Sequence, residues 1–323
     1  MDEEILQLFK KHPSTFLSGE KLSRRLKVSR TAIWKRIRHL RSLGYEIEAS
    51  TRSGYRLIQS PDILAPSEIK PLLKTKRLGK TIHYFHAIDS TNSKAYELAS
   101  QGAEEGEIVI AESQAKGKGR LGRSWFSPPY LNLYLSVILR PKIPPHQAPL
   151  ITLMAAVATA EAIEKTSGLQ PLIKWPNDII LSGRKVAGLL NEIKSETDRV
   201  HFVILGIGVN LNMDEKQFPK EIRPLATSLK EEMGQTVLRK AFLASLLQSM
   251  ERWYTVYLKE GGYPILELWR KWAQIRGRQV RMTSFGETIT GRAIDVDSDG
   301  ALIIETKPGE QKRIVAGDIE YRR

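Results

Sequence analysis

The first sixty residues constrain the fold most, because three helix-type patterns are followed there by a strand–turn–strand pattern. A serine that can cap a helix precedes the second and the third pattern, at Ser18 and Ser29. Gly44 ends the third helix, and residues 45–48 and 55–58 alternate like two strands. The apolar sets at helical spacing are Ile5, Leu8 and Phe9, then Leu22 and Leu26, then Ile33, Ile37 and Leu40. This order predicts a winged helix-turn-helix domain over residues 1–64.

Positive charge is concentrated in the same region. The chain has a net charge of +14 over 323 residues, and residues 21–56 alone hold eleven Lys and Arg against two Glu. A local excess of this kind indicates a polyanion partner, and the start of the second helix of a helix–turn–helix faces the DNA major groove. A solvated amphipathic helix would carry similar charges, but charge, helix order and wing together favour DNA. The candidate DNA-binding residues are Arg30, Thr31, Lys35, Arg36, Arg38 and Arg52, with Arg56 also on the wing.

Composition excludes several classes of protein. The chain has no cysteine, which rules out disulfides and thiolate metal sites and suits a reducing compartment. Residues 1–4 are acidic where a signal peptide would be basic, and no apolar run reaches the roughly 18 residues of a membrane span. We therefore expect a soluble, cytoplasmic protein with no membrane partner.

The rest of the chain predicts two further domains. Residues 61–80 are typical of a linker that can hold a short helix at 67–73, and residues 65–273 then mix strands with helices without regular alternation. We expect a mixed, largely antiparallel sheet with helices on one side. Residues 274–323 contain short strands between turns, one of them at 284–286, which predicts an SH3-like β-barrel. The predicted fold class is α+β.

A glycine-rich loop lies within the middle region, at residues 117–123. Gly117, Gly119 and Gly122 have the spacing of a dinucleotide-binding fingerprint, which must open a helix. The following segment, 124–129, contains two prolines and cannot open one, which excludes that interpretation. The glycines still let backbone N–H groups approach a phosphate, although a mobile surface loop has the same composition. Cations that would neutralise a phosphate are Lys116, Lys118, Arg120 and Arg123.

A second motif follows a short apolar strand that ends at Trp175 and Pro176. Asn177 and Asp178 come directly after it, and their oxygens can hold Mg²⁺ or orient a triphosphate, although an Asx-turn uses the same residues. Lys185 lies near the start of the next strand. It is either an ordinary surface cation or a bridge between a carboxylate and a phosphate.

Together these segments resemble the bifunctional biotin protein ligases that also repress the biotin operon. The resemblance extends over essentially the whole chain, and it rests on a series of motifs in the family's order and spacing, none of which is specific by itself. The motifs occupy residues 89–92, 117–125, 174–178, 185–188 and 206–210. The resemblance implies a catalytic domain of the class II synthetase and biotin ligase type between the winged helix and the barrel.

The family's reaction has two steps. The biotin carboxylate attacks the α-phosphorus of ATP to give biotinyl-5′-AMP and pyrophosphate, and a lysine amine of a carrier domain then displaces AMP. The resemblance implies that Lys185 and Arg120 are catalytic and that Asn177 and Asp178 hold Mg²⁺. The implied biotin-binding residues are Ser90, Thr91, Asn92, Gln114, Lys118, Gly119, Arg120, Lys185 and Gly188. The implied nucleotide-binding residues are Arg120, Arg123, Trp125, Asn177, Asp178 and Asn210.

The resemblance also implies partners. These are the biotin carboxyl carrier domains of biotin-dependent carboxylases, operator DNA, and a second copy of the chain in a homodimer formed when the adenylate, acting as corepressor, is bound. The loop departs from the family's most basic version, because Lys118 and Leu121 stand where arginines occur. Lysine lacks the planar fork of arginine, so its grip on phosphate is expected to be looser.

Three alternatives remain open. A lipoate-protein ligase shares the adenylation chemistry and the core fold, but a winged helix would be unusual there. A biotin-sensing repressor without catalysis would not need Asn177, Asp178 or Lys185. An RNA-modifying enzyme is disfavoured, because no aromatic stacking platform is apparent in the sequence.

Overall fold

A computed structural model describes residues 1–284 and 287–321, apart from the side chains of Glu3, Ser284 and Glu287. The chain forms two compact units, residues 1–72 and residues 73–323. In the described residues no helix combines the length and the apolar character that crossing a bilayer requires.

The first unit has the expected helices and hairpin. Side chains of Ser18 and Ser29 accept hydrogen bonds from the backbone N–H groups of Lys21 and Ala32, which caps the second and third helices. The helices and the hairpin enclose one apolar core. The elements are α1 (Asp2–Lys11), α2 (Gly19–Leu26), α3 (Arg30–Ser42), β1 (Glu46–Ser50), β2 (Gly54–Gln59) and α4 (Pro66–Ile69).

Part of the expected linker is folded onto this unit. Glu68 in α4 is buried, and its carboxylate accepts hydrogen bonds from Lys10 Nζ at 2.7 Å and from the Tyr45 hydroxyl at 2.9 Å. Burial, together with the charge of Glu68, raises the pKa of Tyr45, which therefore remains a donor. These polar contacts hold α4 against the rest of the first unit, although composition alone assigns its residues to a linker.

The second unit is built on a seven-stranded sheet with the order β3-β4-β5-β9-β8-β7-β6. Among the described strands of this sheet only β3 and β4 pair in parallel, so the expectation of a mixed, largely antiparallel sheet is confirmed. Strand β7 was not expected from the sequence; it begins at Asp178, and three residues that include the turn at Trp175–Pro176 separate it from the end of β6. The strands are β3 (Ile82–Phe85), β4 (Ile108–Ala111), β5 (Leu133–Leu139), β6 (Leu172–Lys174), β7 (Asp178–Leu181), β8 (Arg184–Ser195) and β9 (Val200–Val209).

Helices cover both faces of this sheet, and the expectation of helices on one side is wrong. Adjacent residues of β8 show this, because neighbouring side chains of a strand point to opposite faces. Asn191 donates to the Ala148 carbonyl of α6, whereas Glu192 accepts from Asn92 of α5. The helices of this unit are α5 (Thr91–Ser100), α6 (Ala148–Ser167), α7 (Leu229–Met233), α8 (Arg239–Glu260) and α9 (Tyr263–Ala273).

A buried ion pair joins the start of α8 to the end of β4. Arg239 Nη1 lies 2.7 Å from Glu112 Oε2, and the two side chains are 1% and 0% exposed. Tyr84 donates a further hydrogen bond to Glu112. Because an unpaired charge at this depth would be strongly unfavourable, the pair fixes the strand that leads into the glycine-rich loop.

The chain ends in a five-stranded antiparallel sheet with the order β13-β12-β11-β10-β14. Its last strand was not expected from the sequence, and the expected turn at 284–286 lies partly outside the described residues. Trp175 donates from its indole nitrogen to the Gly300 carbonyl at 3.0 Å, which ties this sheet to the β6–β7 turn. The strands are β10 (Gln279–Ser284), β11 (Glu287–Val296), β12 (Leu302–Lys307), β13 (Glu310–Ile314) and β14 (Asp318–Tyr321).

Candidate functional site

A cavity of about 130 Å³ lies where the start of α5, the glycine-rich loop and the strands β5, β7, β8 and β9 meet. It gathers nearly all of the residues that the resemblance implied. Asn210 does not line it, because its side chain is buried and donates to the Thr227 carbonyl. The expected residues that line it are Ser90, Thr91, Asn92, Gln114, Lys118, Gly119, Arg120, Arg123, Trp125, Asn177, Asp178, Lys185 and Gly188.

The floor of the cavity is a buried network of neutral polar groups at the start of α5. Ser90 caps the helix by accepting from the Ser93 backbone N–H at 3.4 Å, and Thr91 donates from both its backbone and its hydroxyl to Gln114 Oε1. Asn92 Oδ1 accepts from the Ser136 hydroxyl at 2.6 Å. Amides and hydroxyls held in this way present fixed donors and acceptors to a neutral polar ligand.

A glycine in the sheet provides the space that this network needs. A Cβ atom on Gly206 would lie 2.2 Å from Asn92 Oδ1, a distance that no real Cβ contact shows. Gly206 belongs to β9, which pairs with β5 opposite Ser136. The glycine is therefore required here by close approach, and it brings Asn92 down onto the sheet.

The glycine-rich loop is a small hairpin. The Trp125 N–H donates to the Gly117 carbonyl at 2.8 Å, and the Gly119 N–H donates to the Arg123 carbonyl at 2.6 Å. At its tip Leu121 is 72% exposed and has a φ of +55°, in the left-handed region that side chains other than glycine rarely adopt. The loop therefore has internal order, with a strained and exposed apolar tip.

Trp125 covers two glycines of the sheet beneath it. Cβ atoms on Gly188 and Gly208 would lie 2.9 Å and 2.5 Å from its ring. Lys185 Nζ lies 5.3 Å from the centroid of the same ring and 2.6 Å from Asp178 Oδ1. The strands β7 and β8 therefore supply an ammonium and a carboxylate, and the loop supplies an aromatic face, to one wall of the cavity.

Arg120 is the most enclosed cation of the loop. Its Nη1 donates to Asn177 Oδ1 at 3.1 Å and to the Gly317 carbonyl at 3.3 Å. Burial lowers the pKa of this guanidinium, while the charges of Asp318 and Asp178 oppose that shift. Because an arginine titrates far above neutral pH, it stays charged, and its charge is poorly compensated by solvent.

The oxygens near Arg120 fit only one kind of metal site. The described residues contain no group of three His, Asp or Glu side chains placed to hold a metal ion. Asp178 and Asn177 together provide one carboxylate and one amide oxygen, of which Asn177 Oδ1 also accepts from Arg120 and Asp178 Oδ1 lies 2.6 Å from Lys185 Nζ. That donor set suits Mg²⁺ that takes its remaining ligands from phosphates and water.

Several residues of this site were missed by the sequence analysis. Ser136 had a readable signal, because it is the one polar side chain in the buried strand β5 apart from the hydroxyl of Tyr134. Glu192 accepts from Asn92 Nδ2 at 2.8 Å and from Lys118 Nζ at 3.2 Å, so it joins the floor to the loop. Asp318 contacts Arg123 from the C-terminal sheet, and nothing in the local sequence of β14 signals this.

The first unit carries the expected DNA-binding residues on its surface. All six are exposed, although Arg36 also lies 3.7 Å from Asp2. Arg56 is bound to Glu48 and lies over Phe16, so it is already engaged within the unit. Trp34 was missed: it is 46% exposed on α3, with the Arg38 guanidinium 4.7 Å from its ring centroid.

Comparisons with known proteins agree with this arrangement. Residues 84–210 match the biotin/lipoate A/B protein ligase family, residues 2–56 match an HTH domain, and residues 276–322 match the biotin protein ligase C terminal domain. A structure of a biotin protein ligase from Aquifex aeolicus in complex with biotin and ATP superimposes with a TM-score of 0.65, at 28% identity, covering 76% of this chain and 99% of that one.

Two curated proteins are similar over greater lengths. The bifunctional ligase/repressor BirA of Bacillus spizizenii is 42% identical over 318 residues, which cover 98% of each chain. The bifunctional ligase/repressor BirA of Escherichia coli is 31% identical over 307 residues, covering 95% of this chain and 93% of that one. Similarity at this level over nearly the whole length of both proteins shows that the chain belongs to the family of the bifunctional ligase/repressor BirA.

Proposed function

We propose that the chain is an ATP-dependent biotin protein ligase that makes biotinyl-5′-AMP, transfers biotin to a lysine of a carboxylase carrier domain, and represses biotin genes. One observation carries the enzymatic part of the proposal. A buried floor of neutral hydrogen-bonding groups and a wall of cations meet in the same cavity. Biotin has both matching parts, a neutral ureido ring and a carboxylate that must approach a triphosphate.

The floor supports biotin over lipoate. Ser90, Thr91, Asn92 and Gln114 surround one end of the cavity, and a ureido ring can satisfy their donors and acceptors. The dithiolane ring of lipoate has no comparable group and would leave buried polar atoms unpaired. Gly119, Gly188 and the side chain of Lys118 complete the proposed biotin site.

The cations support the first step. The biotin carboxylate and the α-phosphate of ATP are both anionic, so their approach requires positive charge on either side. Lys185 is proposed to bridge the two groups, and Arg120 to stabilise the charge that moves to the leaving pyrophosphate. Arg123, Trp125 and Asn210 are proposed to contact the nucleotide. A carboxylate oxygen bonds to the α-phosphorus while the bond to the pyrophosphate oxygen breaks.

In the second step the lysine amine attacks the acyl carbon, the bond between that carbon and the phosphate oxygen breaks, AMP leaves, and the amine gives up its proton to solvent. The adenylate must be kept from water before that attack, and the loop over the cavity supports this role. Mg²⁺ is proposed to be held by Asp178 and Asn177, where it would screen the charge of the triphosphate.

The enzymatic proposal is tested with purified protein, ATP and either biotin or lipoate. Biotin should give an acyl-adenylate and labelled carrier protein, and a preference for lipoate would overturn the proposal. Lys185→Ala should abolish adenylate formation while the floor still binds the ureido ring of biotin. Full transfer by this variant would remove Lys185 from the mechanism, and Lys165→Ala, on α6 outside the cavity lining, is the matched control.

The first unit is proposed to bind operator DNA, with the adenylate as corepressor acting in the cytoplasm. Arg30, Thr31, Lys35, Arg36, Arg38 and Arg52 are proposed to contact the duplex, and a homodimer formed on adenylate binding would set the spacing of two half-sites. Sedimentation with and without biotin plus ATP tests the dimer. DNA binding that does not weaken with rising salt would count against the phosphate contacts.

Trp34 offers a sharper test of the same surface. Its exposed ring lies among the proposed DNA contacts, and apolar side chains in the major groove contact thymine methyl groups. Replacing thymine by deoxyuridine at a contacted position of a selected binding site should weaken binding of the wild type but not of Trp34→Ala. If both proteins lose the same affinity at every position, Trp34 does not read thymine.

A further inference from the structure

The carboxylate of Asp318 reaches the cavity from the C-terminal sheet. Asp318 is the first residue of β14, and it lines the cavity beside the loop arginines. Arg123 Nη2 lies 2.7 Å from Asp318 Oδ1 and 2.6 Å from Oδ2. The preceding residue, Gly317, accepts through its carbonyl from Arg120. The first residue of the last strand and the residue before it therefore occupy the two arginines of the loop that face the cavity.

This ion pair is easy to exchange. The side chains of Arg123 and Asp318 are 59% and 45% exposed, so water screens their attraction and the pair contributes little to stability. A polyphosphate carries several charges and offers more oxygens than one carboxylate does. It would therefore compete effectively for Arg123, whereas it would not displace a buried pair such as Arg239 and Glu112.

The charge of Asp318 also acts on Arg120. Asp318 supports the charged form of that guanidinium, against the burial that lowers its pKa. One carboxylate thus partly neutralises the field of both arginines at the place where the proposed nucleotide would approach. Removing it would weaken that compensation, since of the two carboxylates near Arg120 only Asp178 would remain.

We propose that Asp318 is a displaceable counter-ion, which pairs with Arg123 before ATP binds and yields this arginine to a phosphate group when ATP arrives. The C-terminal sheet thereby sets the affinity of the loop for polyphosphate and holds the loop near the cavity without ligand. Asp318 is a positioning residue in this scheme, since it acts through Arg123. The inference rests on the proposed use of ATP by this site.

The test measures binding of inorganic pyrophosphate by calorimetry to the full chain. Asp318→Asn removes the competing charge and keeps the shape, so it should bind pyrophosphate about three- to fivefold more tightly, the full value of an exposed pair. Asp318→Glu should behave like the wild type. Glu320→Gln, at an exposed carboxylate two residues along the same strand, makes the same change in net charge and should have no effect.

Two further readouts separate this role from a structural one. The gain should vanish in the double variant with Arg123→Gln, because Asp318 then has no arginine to release. Trypsin should cleave the loop of Asp318→Asn faster than that of the wild type, and pyrophosphate should restore the protection.

Equal or weaker pyrophosphate binding by Asp318→Asn overturns the inference, and so does an equal gain from Glu320→Gln. Both results leave the proposed enzyme intact if the wild type still forms the adenylate. A wild type that binds neither ATP nor pyrophosphate would instead overturn the proposed function.

Discussion

The floor of the cavity and the loop above it are held by different kinds of contact. Floor residues such as Asn92 and Ser136 are buried, and the hydrogen bond of 2.6 Å between them joins two neutral side chains. Two of the four loop cations are paired with exposed carboxylates, Lys116 with Asp89 and Arg123 with Asp318.

The difference separates recognition from closure. A buried hydrogen bond is costly to break, because the group left behind has no water to replace its partner. An exposed ion pair is exchanged for water or for another anion at little cost. We therefore expect the floor to keep its geometry whether or not ligand is bound, and the loop to change partners during each turnover.

The largest effect should come from a change of one glycine in the floor. The new Cβ of Gly206→Ala would displace Asn92 and leave buried polar atoms unpaired, so biotin binding should weaken on the order of 100-fold. The matched loop variant is Gly119→Ala, where the nearest atom to a new Cβ is the Arg123 carbonyl oxygen at 3.2 Å. Calorimetry with biotin compares them, and equal losses would break the distinction between floor and loop.

A pair of serines gives the next effect. Ser136→Ala removes the donor to Asn92 Oδ1 and should weaken biotin binding about tenfold. Ser124→Ala changes an exposed loop residue that also lines the cavity, and its effect should stay within about twofold. The two dissociation constants for biotin are the measurement, and a larger loss in the loop variant contradicts our assignment.

Glu192 connects the two regions, and its neutral variant should uncouple them. In Glu192→Gln the amide oxygen can still accept from Asn92, but the ion pair with Lys118 is lost. Biotin affinity should therefore change less than about twofold, while tryptic cleavage at Lys118 becomes a few-fold faster. A loss of biotin affinity as large as that of Ser136→Ala would show that the charge of Glu192 is part of the floor.

The smallest effect should follow from Lys116→Ala. Lys116 is 78% exposed in its pair with Asp89, and the hydrogen bond to this carboxylate, together with its charge, raises the pKa of the lysine. Such a pair adds little, and the urea midpoint of unfolding should be unchanged within error. A clear shift of the midpoint would mean that the loop is held more firmly than its exposure indicates.

Local patterns in the sequence predicted most of the fold, but they predicted fewer of the contacts between the residues of the site. Serine caps and apolar spacing located α2 and α3, since both are short-range features. Strand β7 was missed because a four-residue strand beside a tight turn has no periodicity of its own. The sequence did not show that α5 and α6 lie on opposite faces, because this depends on the direction in which each connection crosses the sheet.

The same limit applies to the cavity. The family's motifs identified Ser90, Thr91 and Asn92, because each of these motifs is a run of consecutive residues. Asp318 is separated from Arg123 by 195 residues, and only the folded chain brings the two together. Long-range ion pairs of this kind leave no trace in local composition.

The hairpin within the glycine-rich loop bears on the conformational entropy of closure. Fixing the backbone of one free residue costs about 1–2 kcal/mol, so ordering nine unrestrained residues would offset much of the attraction of a ligand. Residues 117–125 are already joined to one another by the bonds from the Trp125 and Gly119 N–H groups. A segment that already has internal hydrogen bonds loses less conformational entropy when a ligand binds to it. More of the free energy of each ligand contact therefore remains as affinity.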